Sequence, residues 1–313
     1  MIPIISVVGP TASGKTRLAV DIALKYNGEV VSCDSMQIYK GMDIGTAKPA
    51  PQETLGVPHH LIDIIEPDES FSVADYTSLA NNVIQEIHSR GKIPIVAGGT
   101  GLYFNSLIDN IQFGETHIDY ALRDQLRIVA EEKGGQALID ILDEFDHETA
   151  AVLHPNNIGR IIRAIEIYKT SGITMAEHQR RSREKPSNLK SCTIGLFYSD
   201  RSKLYDKINQ RVDIMIKSGL ILEVKRLLES GTNRNATSLQ AIGYKELIKY
   251  LNSEESLEEA SEIIKQETRR YAKRQLTWFK RDKQINWIDV CLYNSATEIS
   301  KKAFEIIDKC INM

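Results

Sequence analysis

The segment GPTASGKT, residues 9–16, constrains the fold of this chain more than any other stretch, because it fits G-x-x-x-x-G-K-[ST]. Such a loop wraps a diphosphate with successive backbone N–H groups, and it belongs where a strand runs into a helix. Both flanks meet that condition. IISVVG before it is an apolar run of strand length, and KTRLAVDIALKY after it places Leu18, Ile22 and Tyr26 at four-residue steps along one helical face. Gly9, Pro10, Thr11, Ala12, Ser13, Gly14, Lys15 and Thr16 are therefore candidate diphosphate- or nucleotide-binding residues. Lys15 would neutralise the anion, and the Thr16 hydroxyl is the candidate ligand for Mg2+.

The alternation continues beyond the loop. EVVSCD reads as a second strand, SVADYTSLANNVIQEIHSRG as a second helix ended by Gly91, and IPIVAGGT as a third strand opening into a glycine turn. Strands alternating with helices imply an α/β fold, a P-loop NTPase-like parallel sheet covered on both faces. From about 117 to 190 the pattern turns helical, with stripes at Leu122, Leu126, Val129 and at Ile161, Ile165, Tyr168, before CTIGLFYS returns as a strand. The expected organisation is a core of residues 1–115 and 192–313, helical in its C-terminal part, carrying an inserted helical domain at 116–191. The clearest C-terminal helix is SLEEASEIIKQETRRYAKRQLTWFK, where Ser256 and Glu259 form a capping-box pair.

A net charge of −3 over 313 residues gives no global pull toward nucleic acid or membrane, so such binding must be local. Residues 265–283 supply a local patch, with eight basic groups against Glu267 and Asp282. Arg270, Lys273 and Arg274 share one face there at i, i+3 and i+4, interleaved with Tyr271, Trp278 and Phe279, which suits contact with a phosphate backbone better than a merely solvated face. HQRRSREKP at 178–186 is a second basic stretch on the edge of the insertion. Cys33, Cys192, Cys291 and Cys310 form no CxxC pair, which argues against zinc or a disulfide framework and for a reducing cytoplasm. The N-terminal apolar run is too short to span a bilayer, so no membrane association is expected. His59 and His60 point apart with no third ligand nearby and read as structural.

Asp34 is the unusual residue: an acid at the mouth of the apolar second strand, about twenty residues after the phosphate loop. The third strand ends in glycines, without the Asp that usually serves metal or water in an ATPase. Asp34 could accept a hydroxyl proton in a small-molecule kinase, and a nucleotide-switch binding module is the other generic alternative.

DSMQIYKGMDIGTAKP (34–49), GVPHHLID, AGGTGLYF, QAIGYKE and RRYAKRQLTWFKR go beyond generic chemistry. With the loop they resemble the bacterial tRNA dimethylallyltransferases (tRNA isopentenyltransferases, the IPP transferase family), from residue 9 to about residue 287. The resemblance implies transfer of a dimethylallyl group from dimethylallyl diphosphate to N6 of the adenine that follows the anticodon, typically in tRNAs reading codons that begin with U. It implies Asp34 as general base and Thr100 beside the diphosphate and the reacting amine. It implies tRNA contacts from Asp34, Ser35, Met36 and Gln37, from Arg123, and from Gly159, Arg160, Ile161, Ile162 and Arg163. Further contacts are implied at Gln240, Gly243, Tyr244 and Lys245, and in Arg269–Gln275, where Arg270, Lys273 and Arg274 stand. Gly159 departs from relatives that carry a longer polar side chain, and the zinc finger of eukaryotic members is missing. The expected partners are the tRNA anticodon stem-loop and dimethylallyl diphosphate, with Mg2+, for a cytoplasmic monomer. The related transfer to free adenine nucleotides stays open, with the basic C-terminal helix counting against it.

Overall fold

The computed structural model describes residues 1–113 and 119–311. Its sheet contains six strands, β1 (Ile2–Val8), β2 (Gly28–Cys33), β3 (His59–His60), β4 (Ile93–Gly98), β5 (Leu189–Phe197) and β6 (Asn286–Asp289), all parallel in the order β3-β2-β4-β1-β5-β6. The α/β class and the parallel sheet read from the sequence are thus present. Because every strand runs the same way, the residues that follow β1, β2 and β4 emerge at one end of the sheet. That brings Gly9, Asp34 and Gly99 together.

The helices of the first half are α1 (Lys15–Tyr26), α2 (Pro51–Thr54), α3 (Val73–Ser89) and α4 (Gly101–Ile108). Alternation along β1 sorts them onto two faces. Ile4 and Val8 pack with Tyr76, Ile84 and Ile87 of α3 and Phe104 of α4, while Ile5 and Val7 pack with Leu18 and Ile22 of α1. The Leu18–Ile22 stripe is the buried face of α1, as its spacing requires.

Two compact units divide the chain, Met1–Ile108 with Asn188–Met313, and Asp109–Ser187. The second holds α5 (Tyr120–Lys133), α6 (Gly135–Asp143), α7 (His147–Val152), α8 (Ile158–Ser171) and α9 (Met175–Arg181), around Leu126, Leu138, Leu142, Ile161 and Ile165. The expected junction at 115–116 lies outside the described residues. The expected return at 191–192 needs correction: it would cut β5, whose pairing with β1 already begins at Ile2↔Leu189.

The remaining helices of the first unit are α10 (Arg201–Lys217), α11 (Leu220–Glu229), α12 (Tyr244–Leu251), α13 (Leu257–Phe279) and α14 (Ala296–Ile311). The Ser256 side chain accepts from the Glu259 N–H at the start of α13 and Glu259 reciprocates, so the capping box forms. Strands β3 and β6 are a correction to the sequence reading. They are two and four residues long and lie at the sheet edges, too short to show a period. At β3, His60 Nε2 lies 2.7 Å from Glu29, a buried carboxylate at the start of β2 that also takes Arg90 and Lys92 at 2.6 and 2.8 Å. His59 Nδ1 lies 2.9 Å from the Val57 carbonyl. Both histidines are structural.

Candidate active site

Gly14 sits at φ +89°, a left-handed turn that places the start of α1 at the end of the loop. The first turn of α1 carries no acid and its N-terminus has no side-chain cap, so its N–H groups remain available to an anion. Inside the loop, Ser13 Oγ donates to the Pro10 carbonyl at 2.8 Å and Lys15 Nζ donates to the same oxygen at 2.6 Å. Burial lowers the Lys15 ammonium to about 7; the Arg211 charge adds to the shift and Asp34 opposes it. An arriving diphosphate would restore that proton.

Arg211 on α10 is a residue that the loop motif could not reveal, since it lies far along the chain. Burial lowers its guanidinium from the ordinary range, against the favourable charges of Asp34 and Glu53. Lys15, Arg211 and Asp34 thus form one electrostatic group, two cations and one acid, suited to a polyanion with a proton acceptor beside it.

Asp34 follows β2 directly, and its Oδ1 accepts from the Met36 N–H at 2.9 Å. The Thr100 N–H donates to the Cys33 carbonyl at 3.1 Å, and Thr100 Oγ1 accepts from the Ser35 N–H at 3.0 Å. Thr100 therefore stands behind Ser35, bracing the turn that presents Asp34. Gln275, buried on α13, takes the Thr11 N–H on its Oε1 at 2.8 Å and gives its Nε2–H to the Gly99 carbonyl at 2.9 Å. One side chain fastens α13 to the loop after β1 and the turn after β4. Burial pushes the Tyr271 phenol, one turn earlier on α13, well above its usual range, and the Asp34 charge adds to the shift.

Two cavities meet at Asp34, both within the first unit. The loop cavity, of about 920 Å3, is lined by Thr11 to Thr16, Asp34, Gln37, Thr46, Lys207 and Arg211 among others. The apolar cavity, of about 430 Å3, is lined by Ile208, Val212, Met215, Leu220 and Ile264, with Ser35, Met36, Gln240, Gly243, Lys245 and Arg274 on its walls. Thr11, Asp34, Thr46, Arg211, Met215 and Tyr271 line both. A polyanion on one side and a flat, largely apolar group on the other would meet at the Asp34 carboxylate.

Other sequence candidates fall elsewhere. Tyr244 is fully buried, its hydroxyl donating to Glu223 at 2.6 Å, so its side chain meets no macromolecular surface. Ile161 and Ile162 are buried in the core of the second unit. This corrects the contact role that the resemblance implied for those three side chains: they lie in stretches that match the family, but their side chains pack inward. Arg123 binds Glu166 with Nε and Nη2, each at 2.8 Å, and Arg163 binds the same buried carboxylate. Arg163 and Glu166 stand at i,i+3 on α8, but no motif or spacing points to Arg123 as the second partner. Gly159 and Arg160 are exposed on the first turn of α8, and Arg270, Lys273 and Arg274 are exposed on α13. Arg270 pairs with Glu267, and the Arg274 guanidinium lies 5.7 Å from the Tyr271 ring centre.

Residues 37–282 match the family model described as IPP transferase. The chain is 50% identical over 307 residues to a protein of Caldanaerobacter subterraneus subsp. tengcongensis named tRNA dimethylallyltransferase, with 98% of each chain covered. It is similar to the solved full-length tRNA isopentenylpyrophosphate transferase from Bacillus halodurans, with 45% identity and a TM-score of 0.73, covering 100% of this chain and 99% of that one. It is also similar to a eukaryotic dimethylallyltransferase described as acting on tRNA, with 32% identity and a TM-score of 0.76 over 92% of this chain and 74% of the other.

Proposed function

This chain belongs to the IPP transferase family, and on that premise we propose that it moves the dimethylallyl group of dimethylallyl diphosphate onto N6 of the adenine 3′ of the anticodon in tRNA. The observation that carries the reading is the meeting of the two cavities at Asp34. The diphosphate lies on the 9–16 loop, held by its backbone N–H groups, Lys15 and Arg211. The adenine leaves its stack and enters the apolar cavity, as a base must when its reacting atom is hidden in a helix or loop. The N6 lone pair forms a bond to C1 of the dimethylallyl group, the C1–O bond breaks, and its electron pair leaves with the diphosphate. Asp34 takes the amine proton. Thr100 and Ser35 hold Asp34 in place, so Thr100 acts by positioning.

Among the described residues no group of three or more His, Cys, Asp or Glu is arranged to hold a metal. Mg2+ commonly sits between one or two protein oxygens, substrate phosphate oxygens and water, so Thr16 is the residue that would hold it. Bound there, the ion supplies charge neutralisation to the leaving diphosphate. Exposed Arg270, Lys273, Arg274, Gln240 and Lys245 form the acceptor RNA face around the apolar cavity, and Gly159, Arg160, Arg123 and Arg163 form the RNA face of the inserted unit. No helix among the described residues is long and apolar enough to cross a membrane. With tRNA as the acceptor, the working form in this reading is a monomer in the cytoplasm.

Incubating the protein and Mg2+ with labelled dimethylallyl diphosphate and either tRNA or AMP tests the reading. Label appearing in tRNA alone is expected. Label in AMP alone would move the protein to the free-nucleotide prenyltransferases, and label in neither would defeat the reading.

A further inference from the structure

The segment from Asp43 to Thr46 walls both cavities and is neither helix nor strand but a turn, closed by the Ala47 N–H to the Ile44 carbonyl and the Lys48 N–H to the Asp43 carbonyl, each at 3.0 Å. Three successive backbone N–H groups point to one place. Asp43 and Ile44 donate to Glu223 Oε2 at 2.9 and 2.8 Å, and Gly45 donates to Glu223 Oε1 at 3.1 Å. Tyr244 Oη donates to the same Oε1 at 2.6 Å. Glu223, on α11, is 2% exposed and has no Lys or Arg within ion-pair distance among the described residues. Its charge is therefore met by backbone dipoles and one phenol, a concave arrangement of N–H groups that calls for an anion. A Cβ on Gly45 would overlap the Tyr244 ring, so wall and phenol are packed in direct contact.

Tyr244 opens α12 and ends the segment Gln240–Gly243, which lines the apolar cavity. One buried carboxylate thus holds a wall facing the diphosphate side and a wall facing the base side. We propose that Glu223 is a positioning residue for prenyl transfer, which sets the width of the passage at Asp34 by fastening the 43–46 wall and the 240–244 wall to one carboxylate. The inference rests on the function proposed above and adds a residue to it. Glutamine in its place keeps one acceptor oxygen but turns an amide N–H toward at least one backbone N–H donor, which loosens the 43–46 wall. Phenylalanine at 244 keeps the ring packing and frees only the 240–244 wall.

Steady-state kinetics with dimethylallyl diphosphate and an anticodon stem-loop RNA test this on the full chain. Glu223→Gln is expected to raise the KM of both substrates about tenfold, the size set by removing hydrogen bonds to a charged group. Tyr244→Phe is expected to raise the KM for RNA about tenfold and leave the donor KM within about twofold of the original. A merely structural Glu223 would lower the melting temperature and leave both KM values unchanged, which overturns the proposal. A Tyr244→Phe protein in which both KM values rise, or neither does, overturns it as well. Should Glu223→Gln fail to fold, Tyr244→Phe decides alone. Unaltered protein that labels no RNA would defeat the proposed function, whereas an active parent with insensitive variants defeats only the role of Glu223.

Discussion

Lys15, Arg211 and Asp34 are residues whose charge the proposed chemistry uses directly, and Lys15 and Asp34 carry the clearest tests. With a pKa near 7, part of the free protein lacks the Lys15 proton at neutrality, and a bound diphosphate raises that pKa. The free state has the lower value, so donor affinity is complete below about pH 7 and weakens above it, by up to about tenfold per unit, until the bound-state pKa is passed. The KM for dimethylallyl diphosphate, followed from about pH 6 to about pH 9, should show this rise. Lys15→Arg should flatten it, because a guanidinium keeps its charge. A flat profile in the parent protein would mean that Lys15 stays charged without the donor. At Asp34 the expected effect is on rate. Asp34→Asn keeps the acceptor for the Met36 N–H but loses the proton acceptor, so single-turnover rates should fall about 10²–10⁴-fold with little change in either substrate's affinity. Near-normal rates would pass the proton to the leaving diphosphate.

Helix α13 is the element on which the two sides of the site depend. Its buried face carries Ala272, Gln275 and Phe279, and Gln275 reaches the phosphate loop. The opposite face carries Arg270, Lys273 and Arg274 to solvent. Changing these three to Ala should raise the KM for tRNA and leave the donor KM alone. The log–log salt dependence of tRNA binding should become shallower by about one unit for each RNA phosphate that the protein no longer neutralises. Filter binding at several salt concentrations measures the slope, and an unchanged slope would make this a solvated face with no role in RNA binding. Elements of this length were legible in the sequence because capping and a 3.6-residue period repeat over many turns. Strands β3 and β6 were not, since two to four residues at a sheet edge carry no repeat.

For the molecule as a whole, one contribution to acid stability comes from the end of the sheet opposite the site, at the start of β2. Glu29 there is buried, and burial alone would raise its pKa. Lys92, His60 and Arg90 outweigh that and hold it at about 2, against 4.5 in an unfolded chain. A folded value below the unfolded one means that this group's contribution is present in full above about pH 4.5 and is lost as pH falls from there toward about 2. Glu29→Gln should cost on the order of 2 kcal/mol at neutral pH and remove that part of the acid slope. Urea unfolding at neutral and acid pH reports both. An equal slope in the two proteins would show that other carboxylates dominate acid unfolding.

The sequence by itself determined what depends on neighbours along the chain. The 9–16 loop with its strand and helix, the Ser256–Glu259 cap, the Leu18–Ile22 stripe and the acid that follows β2 are all matters of local hydrogen bonding and side-chain period. The tertiary structure decided which distant groups share an atom. Gln275 meets Thr11, Glu223 meets Asp43 to Gly45, and Arg123 meets Glu166 across tens to hundreds of residues, where no spacing rule operates. It also decided that Ile161, Ile162 and Tyr244 face inward, because a stretch that matches the family carries inward-packing and outward-facing side chains alike. Only the packing of one element on another distinguishes the surface that meets a partner from the face that meets the protein itself.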